Sequence, residues 1–257
     1  MTAQETAIVE ALQAFRRQAD DCVTSLYAYL TVHEVAARTQ TIRAHINENA
    51  LFWNTALHAL QTALILALGR AFETNTPQNV GTFMQAMSAN RAAFSRNALR
   101  SRKAEIFGND LVALDVYVRQ ARIPYPSDFR RVANFVRRHR NDYIATYRVI
   151  RDNVFAHTLT IDQEQIARLF SKTNIRQLQR MTTYLNDLHD AFWEAFYNGG
   201  RLTVRRRRIS IARMLRLPRR RTMTGAIQET VVSQAREALQ PWSAQDYRRP
   251  RRRRARF

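Results

Sequence analysis

Arg151 and His157 stand six positions apart in the segment Arg151-Asp152-Asn153-Val154-Phe155-Ala156-His157. An imidazole changes protonation near neutrality, so it can take a proton from a ribose hydroxyl or return one. A guanidinium stays charged and can hold the negative charge that builds on a phosphate. The pair therefore points to chemistry on RNA. Spacing alone does not single it out, because in a chain with 39 Arg and 6 His the pair Arg38 and His45 also fits, in what reads as continuous helix. Context distinguishes Arg151 and His157: they lie near a junction of two helices, polar residues follow the arginine, and Phe155-Ala156 offer an apolar anchor beside the histidine. On an unbroken helix, residues six apart point about 120° from each other and sit about 9 Å apart along the axis. Either the helix breaks between them, or a second subunit brings its own copy, giving a shared site with two arginines and two histidines.

The elements that must carry this segment read as all-α. No Gly or Pro precedes Gly69, and Trp53, Leu57, Leu60, Leu64, Leu68 and Phe72 recur at three- or four-residue steps, the period of a helix with one buried face. Residues 74–81 read as a loop, and 83–107 as helical until Gly108 and Asn109. A further helix is expected over 110–122. Pro124 and Pro126 then force a turn before helical spacing resumes over 129–151. Thr160 with Gln163, and Asn174 with Gln177, are helix start signals. The last stripe, Ile175, Leu178, Met181, Leu185, Leu188, Phe192 and Phe196, closes at Gly199-Gly200. No alternating strand of useful length is visible.

Beyond residue 200 the character changes. Residues 1–200 carry 23 basic and 18 acidic side chains, whereas 201–257 carry 18 and 3, so most of the formal charge of +20 belongs to the tail. Two segments are expected: a helical domain over 1–200 and an arginine-rich tail over 201–257, largely disordered when unbound, with a short helix within 225–239. The blocks Arg205, Arg206, Arg207 and Arg208, then Arg219, Arg220 and Arg221, then Arg251, Arg252, Arg253 and Arg254 suit RNA phosphates, because each contact releases condensed counterions. A nonspecific anion-binding tail, a membrane surface and an acidic partner are the other readings of the same charge.

Cys22 has no partner for an intramolecular disulfide, and no Cys and His cluster has metal-ligand spacing. The start of the chain lacks a basic flank followed by an apolar run, and the most apolar stretch, residues 63–68, is far short of the roughly 20 needed to cross a bilayer. A cytoplasmic protein without membrane contact is expected.

The segment Arg151 to His157 resembles the signature of the HEPN superfamily, an arginine and a histidine separated by four to six residues with a polar residue directly after the arginine. Three stretches in order narrow the resemblance to AbiU-type HEPN-like proteins: LFWNTALHALQTALILALGRAFE (51–73), RDNVFAHT (151–158) and LFSKTNIRQLQRM (169–181). It covers roughly residues 1–198. The resemblance implies a helical bundle that forms a homodimer around a metal-independent, cofactor-free endoribonuclease site, often a toxin or phage-defence effector. It makes Arg151 and His157 the catalytic pair, with Asp152 in the polar position usually held by asparagine and Asn153 beside it as an RNA contact. Asp152 has two roles open to it: orienting Arg151, or repelling phosphate by its charge. A non-catalytic RNA- or DNA-binding bundle, and a toxin silenced by a nucleotidyltransferase-like antitoxin partner, remain as alternatives.

Other residues carry blander expectations. Arg70 and Glu73, three apart near a helix end, are expected to form a surface ion pair. His33, His45, His58, His139 and His189 lack a repeated acidic or cysteine partner and are expected to be structural or exposed. Trp53, Trp193 and the phenylalanine stripe are expected in the core.

Overall fold

The near-absence of helix breakers in the first third of the chain has its expected consequence. In the computed structural model, which describes residues 1–156, 163–205, 210–216 and 226–241, the chain opens with α1 (Ala3–Arg38), α2 (Gln40–Glu48) and α3 (Ala50–Phe72). There follow α4 (Val80–Ala89), a 3₁₀ turn (Arg91–Phe94), α5 (Arg96–Phe107), α6 (Leu111–Gln120) and α7 (Pro126–Asp142). Two π-helical turns, Tyr143–Arg148 and Arg151–Ala156, continue from α7, and α8 (Gln163–Ser171), α9 (Ile175–Asn198), α10 (Ile211–Met214) and α11 (Ile227–Leu239) complete the order. The fold is all-α, with no strand among the described residues.

Two breaks have no Gly or Pro to announce them. Thr39 takes an extended conformation (φ −126°, ψ 107°) and divides α1 from α2, so Arg38 and His45 do not share the continuous helix expected of them. Arg38 is committed to Glu34, at 2.5 Å. Asn49 then leaves the helical region at φ −109°, ψ 38°, its side chain donating to the carbonyl of His45. Both are residues whose short polar groups compete with helical backbone bonds. The stretch 83–107 is likewise interrupted at Asn90 and Ser95, where the Ser95 hydroxyl accepts from the Ala98 N–H and starts α5.

Two compact units emerge. The first joins residues 1–26 to 62–208, and the second joins 27–61 to 209–257. The division expected at residue 200 follows charge, whereas these units follow packing. In the first unit, Ile8, Leu12 and Phe15 of α1 and Met181, Leu185, Leu188, Phe192 and Phe196 of α9 are buried, as the helical stripe on α9 anticipates. Phe15 stacks on Phe83 at 4.2 Å, and Phe94 meets Phe129 and Phe196 edge-on, each at 5.7 Å. Each such ring contributes on the order of 1.5–3 kcal/mol by leaving water. Arg102 crosses from α5 to bind Glu5 at 2.6 Å, donates to the Phe196 carbonyl at 2.9 Å and lies 4.0 Å over the Phe196 ring.

Start and stop signals on α9 work locally. The Asn174 side chain accepts from the Arg176 and Gln177 N–H groups, and Gly199 ends the helix in the left-handed region at φ 62°. Gln177 does not reach back to close a capping box; it accepts instead from the hydroxyl of Tyr147. The other start signal, at Thr160, lies outside the described residues.

In the second unit, Leu239 of α11 is buried with Val32 and Ile42, and Val35, Ile46, Trp53 and Leu57 pack against them. Part of the arginine-rich segment is thus folded, because Val232 and Leu239 give α11 an apolar face. Arg205 is described and exposed; Arg206, Arg207, Arg208, Arg219, Arg220, Arg221, Arg251, Arg252, Arg253 and Arg254 lie outside the described residues, and with them the expected disorder.

Among the described helices, α3 alone is long and apolar enough by composition to cross a membrane. The expectation of no such segment rested on short continuous runs, which Asn54, His58 and Gln61 interrupt without making the helix polar. Its second half, from Leu64 to Phe72, is largely core.

Candidate active site around Arg151

The end of α3 prepares the site. Gly69 and Glu73 are four residues apart, so they lie one above the other on one helix face. That face receives α7's continuation. Tyr143, the first residue past α7, is fully buried, stacks on Phe72 with centroids 5.8 Å apart, and donates its hydroxyl to Glu73 Oε1 at 2.9 Å. Burial first, and the bond to Glu73 second, push the Tyr143 pKa well above the ordinary phenol value. Eight residues on, Arg151 opens the second π-helical turn and donates Nη1 to the other oxygen of Glu73. One carboxylate therefore ties the phenol and the guanidinium together.

Gly69 is what lets them meet there. A Cβ on this residue would stand 3.0 Å from Arg151 Cδ, 3.1 Å from its Nη1 and 3.1 Å from the Tyr143 hydroxyl. Any side chain there would make the arginine or the phenol give way by a few tenths of an ångström.

Asp152 supplies the second hold. Its Oδ1 accepts from Arg151 Nε at 2.8 Å and Nη2 at 2.5 Å, while Arg148 Nε stands 3.7 Å from its Oδ2. Of the two roles open to Asp152, orienting the arginine is the one the geometry displays. Burial works against the charge of Arg151, yet the hydrogen bonds to Asp152 and Glu73 outweigh it and raise its pKa. The Arg151 side chain is 20% exposed, against 8% for Glu73 and 36% for Asp152. Two carboxylates and the two guanidiniums of Arg148 and Arg151 leave the cluster without net charge.

The π-helical turns matter because wider turns of this type gather at functional positions and break the ordinary helical register. From Arg151 to Ala156 the chain stays helical, in wider π turns. His157 lies outside the described residues. Asn153 turns its amide back to the Val149 carbonyl at 2.8 Å, and Phe155 meets Phe170 of α8 edge-on at 6.1 Å.

Three expectations need correction. Arg70 does not pair with Glu73: successive side chains three apart can meet only if both project the same way, and here Arg70 turns to Asp21 at 3.1 Å while Glu73 turns inward. His189 does have an acidic neighbour, Asp190 Oδ1, at 3.1 Å, with Arg16 bridging to Asp190 and Asp20. Trp193, 42% exposed, is not a core residue. Glu73, Gly69 and Tyr143 were not legible as site residues. The only available hint was the four-residue step from Gly69 to Glu73. Among the described residues no group of three His, Cys, Asp or Glu side chains is placed to hold a metal ion.

A helical unit presenting a clamped arginine ahead of a histidine at this spacing defines a HEPN-type domain. The model of the HEPN family AbiU2 matches residues 8–210, so the chain belongs to that family, as a HEPN-type abortive-infection protein. Neither a curated protein nor a solved structure matches the chain.

Proposed function

We propose that the protein is a metal-independent endoribonuclease, acting as a toxin or phage-defence effector through a composite site in a homodimer. The observation that supports this most is the hold on Arg151: Gly69, Glu73, Tyr143 and Asp152 fix its guanidinium at the motif position while the side chain keeps some exposure to solvent. Holding a charged donor rigid before the reaction is what makes it effective on a crowded phosphorane.

In this reading His157 takes the proton from a ribose 2′-hydroxyl, whose oxygen attacks the adjacent phosphorus. Arg151 stabilises the charge on the non-bridging oxygens. The bond to the 5′-oxygen breaks and that oxygen is protonated, by the partner subunit's copy of the histidine, giving a 2′,3′-cyclic phosphate and a 5′-hydroxyl. Asp152 orients Arg151, and Asn153 and the arginines of the tail contact the strand.

Full-length protein incubated with end-labelled single-stranded RNA in excess chelator is expected to yield cyclic-phosphate ends. Intact RNA after stoichiometric incubation would leave a binding protein instead. The charge balance around Arg151 favours that second reading more than any other feature, since a neutral cluster draws phosphate weakly.

Asp152→Asn separates the two effects of this carboxylate. Asparagine keeps an oxygen for Arg151 but removes the charge, so the KM for a short RNA is expected to fall about 3–10-fold at low salt and to converge on the parent value near 1 M salt. A KM unchanged across the salt series would show that Asp152 exerts no repulsion on substrate.

A further inference from the structure

A basic cleft lies at the opposite end of α7 from Tyr143. There, the first turn of α5, the end of α6, the connection 121–125, the first turns of α7 and residues 201–202 enclose a cleft of about 1090 Å³. Arg96, Arg119, Arg122, Arg131 and Arg201 line it, against the single carboxylate of Asp128. Asp128 is already committed, accepting from the Tyr125 N–H at 2.9 Å and facing Arg131 at 3.3 Å.

The cleft gathers arginines that lack a carboxylate partner around one concavity. Arg16, Arg38, Arg70, Arg100, Arg102 and Arg151 each reach a carboxylate on their own or another helix. Among the described residues, Arg96, Arg119, Arg122 and Arg201 form no ion pair, and Arg119 Nε finds only the carbonyl of Asp115. Like charges gathered around a concavity repel unless an anion joins them. Two helix N-termini, of α5 and α7, add their partial positive charge. Tyr125 stands at the rim, 72% exposed.

These walls are built in advance of any ligand. The Arg122 N–H donates to the Gly199 carbonyl at 2.7 Å, and Leu202 is buried, so the chain leaving α9 is fixed against the α6–α7 connection. Gly199 permits that approach: a Cβ there would lie 2.6 Å from Leu99 Cδ2 and 2.7 Å from Ala121 Cβ.

We infer that this cleft binds the phosphate backbone of single-stranded RNA, with a base stacked on Tyr125. Forked guanidiniums match phosphate oxygens, and an exposed ring in a positive groove is how single strands are held without sequence reading. The choice of RNA rests on the ribonuclease reading above. Since α7 is 17 residues long, it sets roughly 26 Å along its axis between the cleft and Tyr143, and Arg151 follows beyond that end. The cleft therefore serves long substrates, gripping a strand several nucleotides from the scissile linkage. Arg201 also lies only four residues before the arginine block that starts at Arg205.

The test uses full-length protein, chelator and a 20-nucleotide 2′-O-methyl oligouridylate, which cannot be cleaved by 2′-oxygen attack. Arg122→Ala with Arg201→Ala is expected to weaken binding at least 10-fold and to lower the slope of log affinity against log salt by about 1.4, the value for two lost single-strand phosphate contacts. Tyr125→Ala is expected to weaken binding about 10-fold with the slope unchanged. Cleavage of a 20-nucleotide RNA should fall in both variants, while cleavage of a trinucleotide stays at the parent rate. Unchanged affinity and slope in the double arginine variant would overturn the inference, as would displacement of the oligonucleotide by polyaspartate at equal charge concentration. The two proposals fail separately. Cleft-dependent binding without cleavage of ordinary RNA removes the nuclease and leaves the cleft; cleavage with binding indifferent to Arg122 and Arg201 does the reverse.

Discussion

His157→Ala is expected to lower RNA cleavage at least about 10³-fold, within the range that a positioned acid or base supplies, and to leave the thermal unfolding midpoint and oligonucleotide binding close to the parent values. Proton transfer is the part of this reaction that the rest of the site cannot perform. Arg151, with its pKa raised by Asp152 and Glu73, keeps its proton at every accessible pH and cannot serve as base. Tyr143 is fully buried, with its pKa displaced upward, and donates to Glu73, so it cannot take the role either. Histidine ionises near pH 6.5 when unperturbed, so the parent rate should bend around neutrality and the residual rate of the variant should lose that bend. Single-turnover cleavage measured from pH 5 to 9 decides the matter: a variant within 10-fold of the parent, with the same pH profile, would end the catalytic role of His157. A mixture of Arg151→Ala and His157→Ala subunits then probes the shared site. If each linkage is cut by groups from both subunits, mixed dimers should recover part of the activity that neither variant has alone.

The parts of the fold that could be read from the chain are those set by neighbours in sequence. Asn174 caps α9 through N–H groups two and three residues away, and Gly199 ends it by its own backbone freedom, so both signals were visible. The stripe from Leu64 to Phe72 was visible for the same reason. The breaks at Thr39 and Asn49 were not, since neither residue forces a helix to stop; each only makes stopping cheap. Nor was the π-helical character from Tyr143 to Ala156. Tyr143, Tyr147 and Ile150 keep an ordinary helical spacing, and all three are fully buried. What the wider turns accommodate are hydroxyl partners far along the chain, Glu73 for Tyr143 and Asn174 with Gln177 for Tyr147. The motif thus named the arginine and its neighbour Asp152, while the hold from Glu73, 78 positions away, depends on how the end of α3 meets the continuation of α7.

Glu73→Ala is expected to cost about 2–4 kcal/mol, because it leaves the buried Tyr143 hydroxyl without its acceptor and Arg151 without half its charge balance. For a chain of this size the unfolding midpoint should drop by roughly 5–15 °C. Arg151→Ala alone should cost less than the sum of its lost contacts, since Glu73 keeps the Tyr143 hydroxyl and partial hydration reaches the vacated position. In the double variant the two losses overlap, so a coupling energy of about 1–3 kcal/mol is expected from thermal melts of the four proteins. Additive effects would mean that Glu73 does not hold Arg151. Glu73→Gln offers a finer division: an amide oxygen can still accept from Tyr143, so stability should fall less than in the alanine variant, while Arg151 is freed of one counter-charge. The alkaline limb of stability carries the same signature. The neutral phenol of Tyr143 stabilises the native state fully below about pH 10, and that contribution is lost as pH rises toward its raised native value. Replacing Glu73 by alanine removes one of the causes of the rise, so the variant's stability should decline less steeply above pH 10 than the parent's.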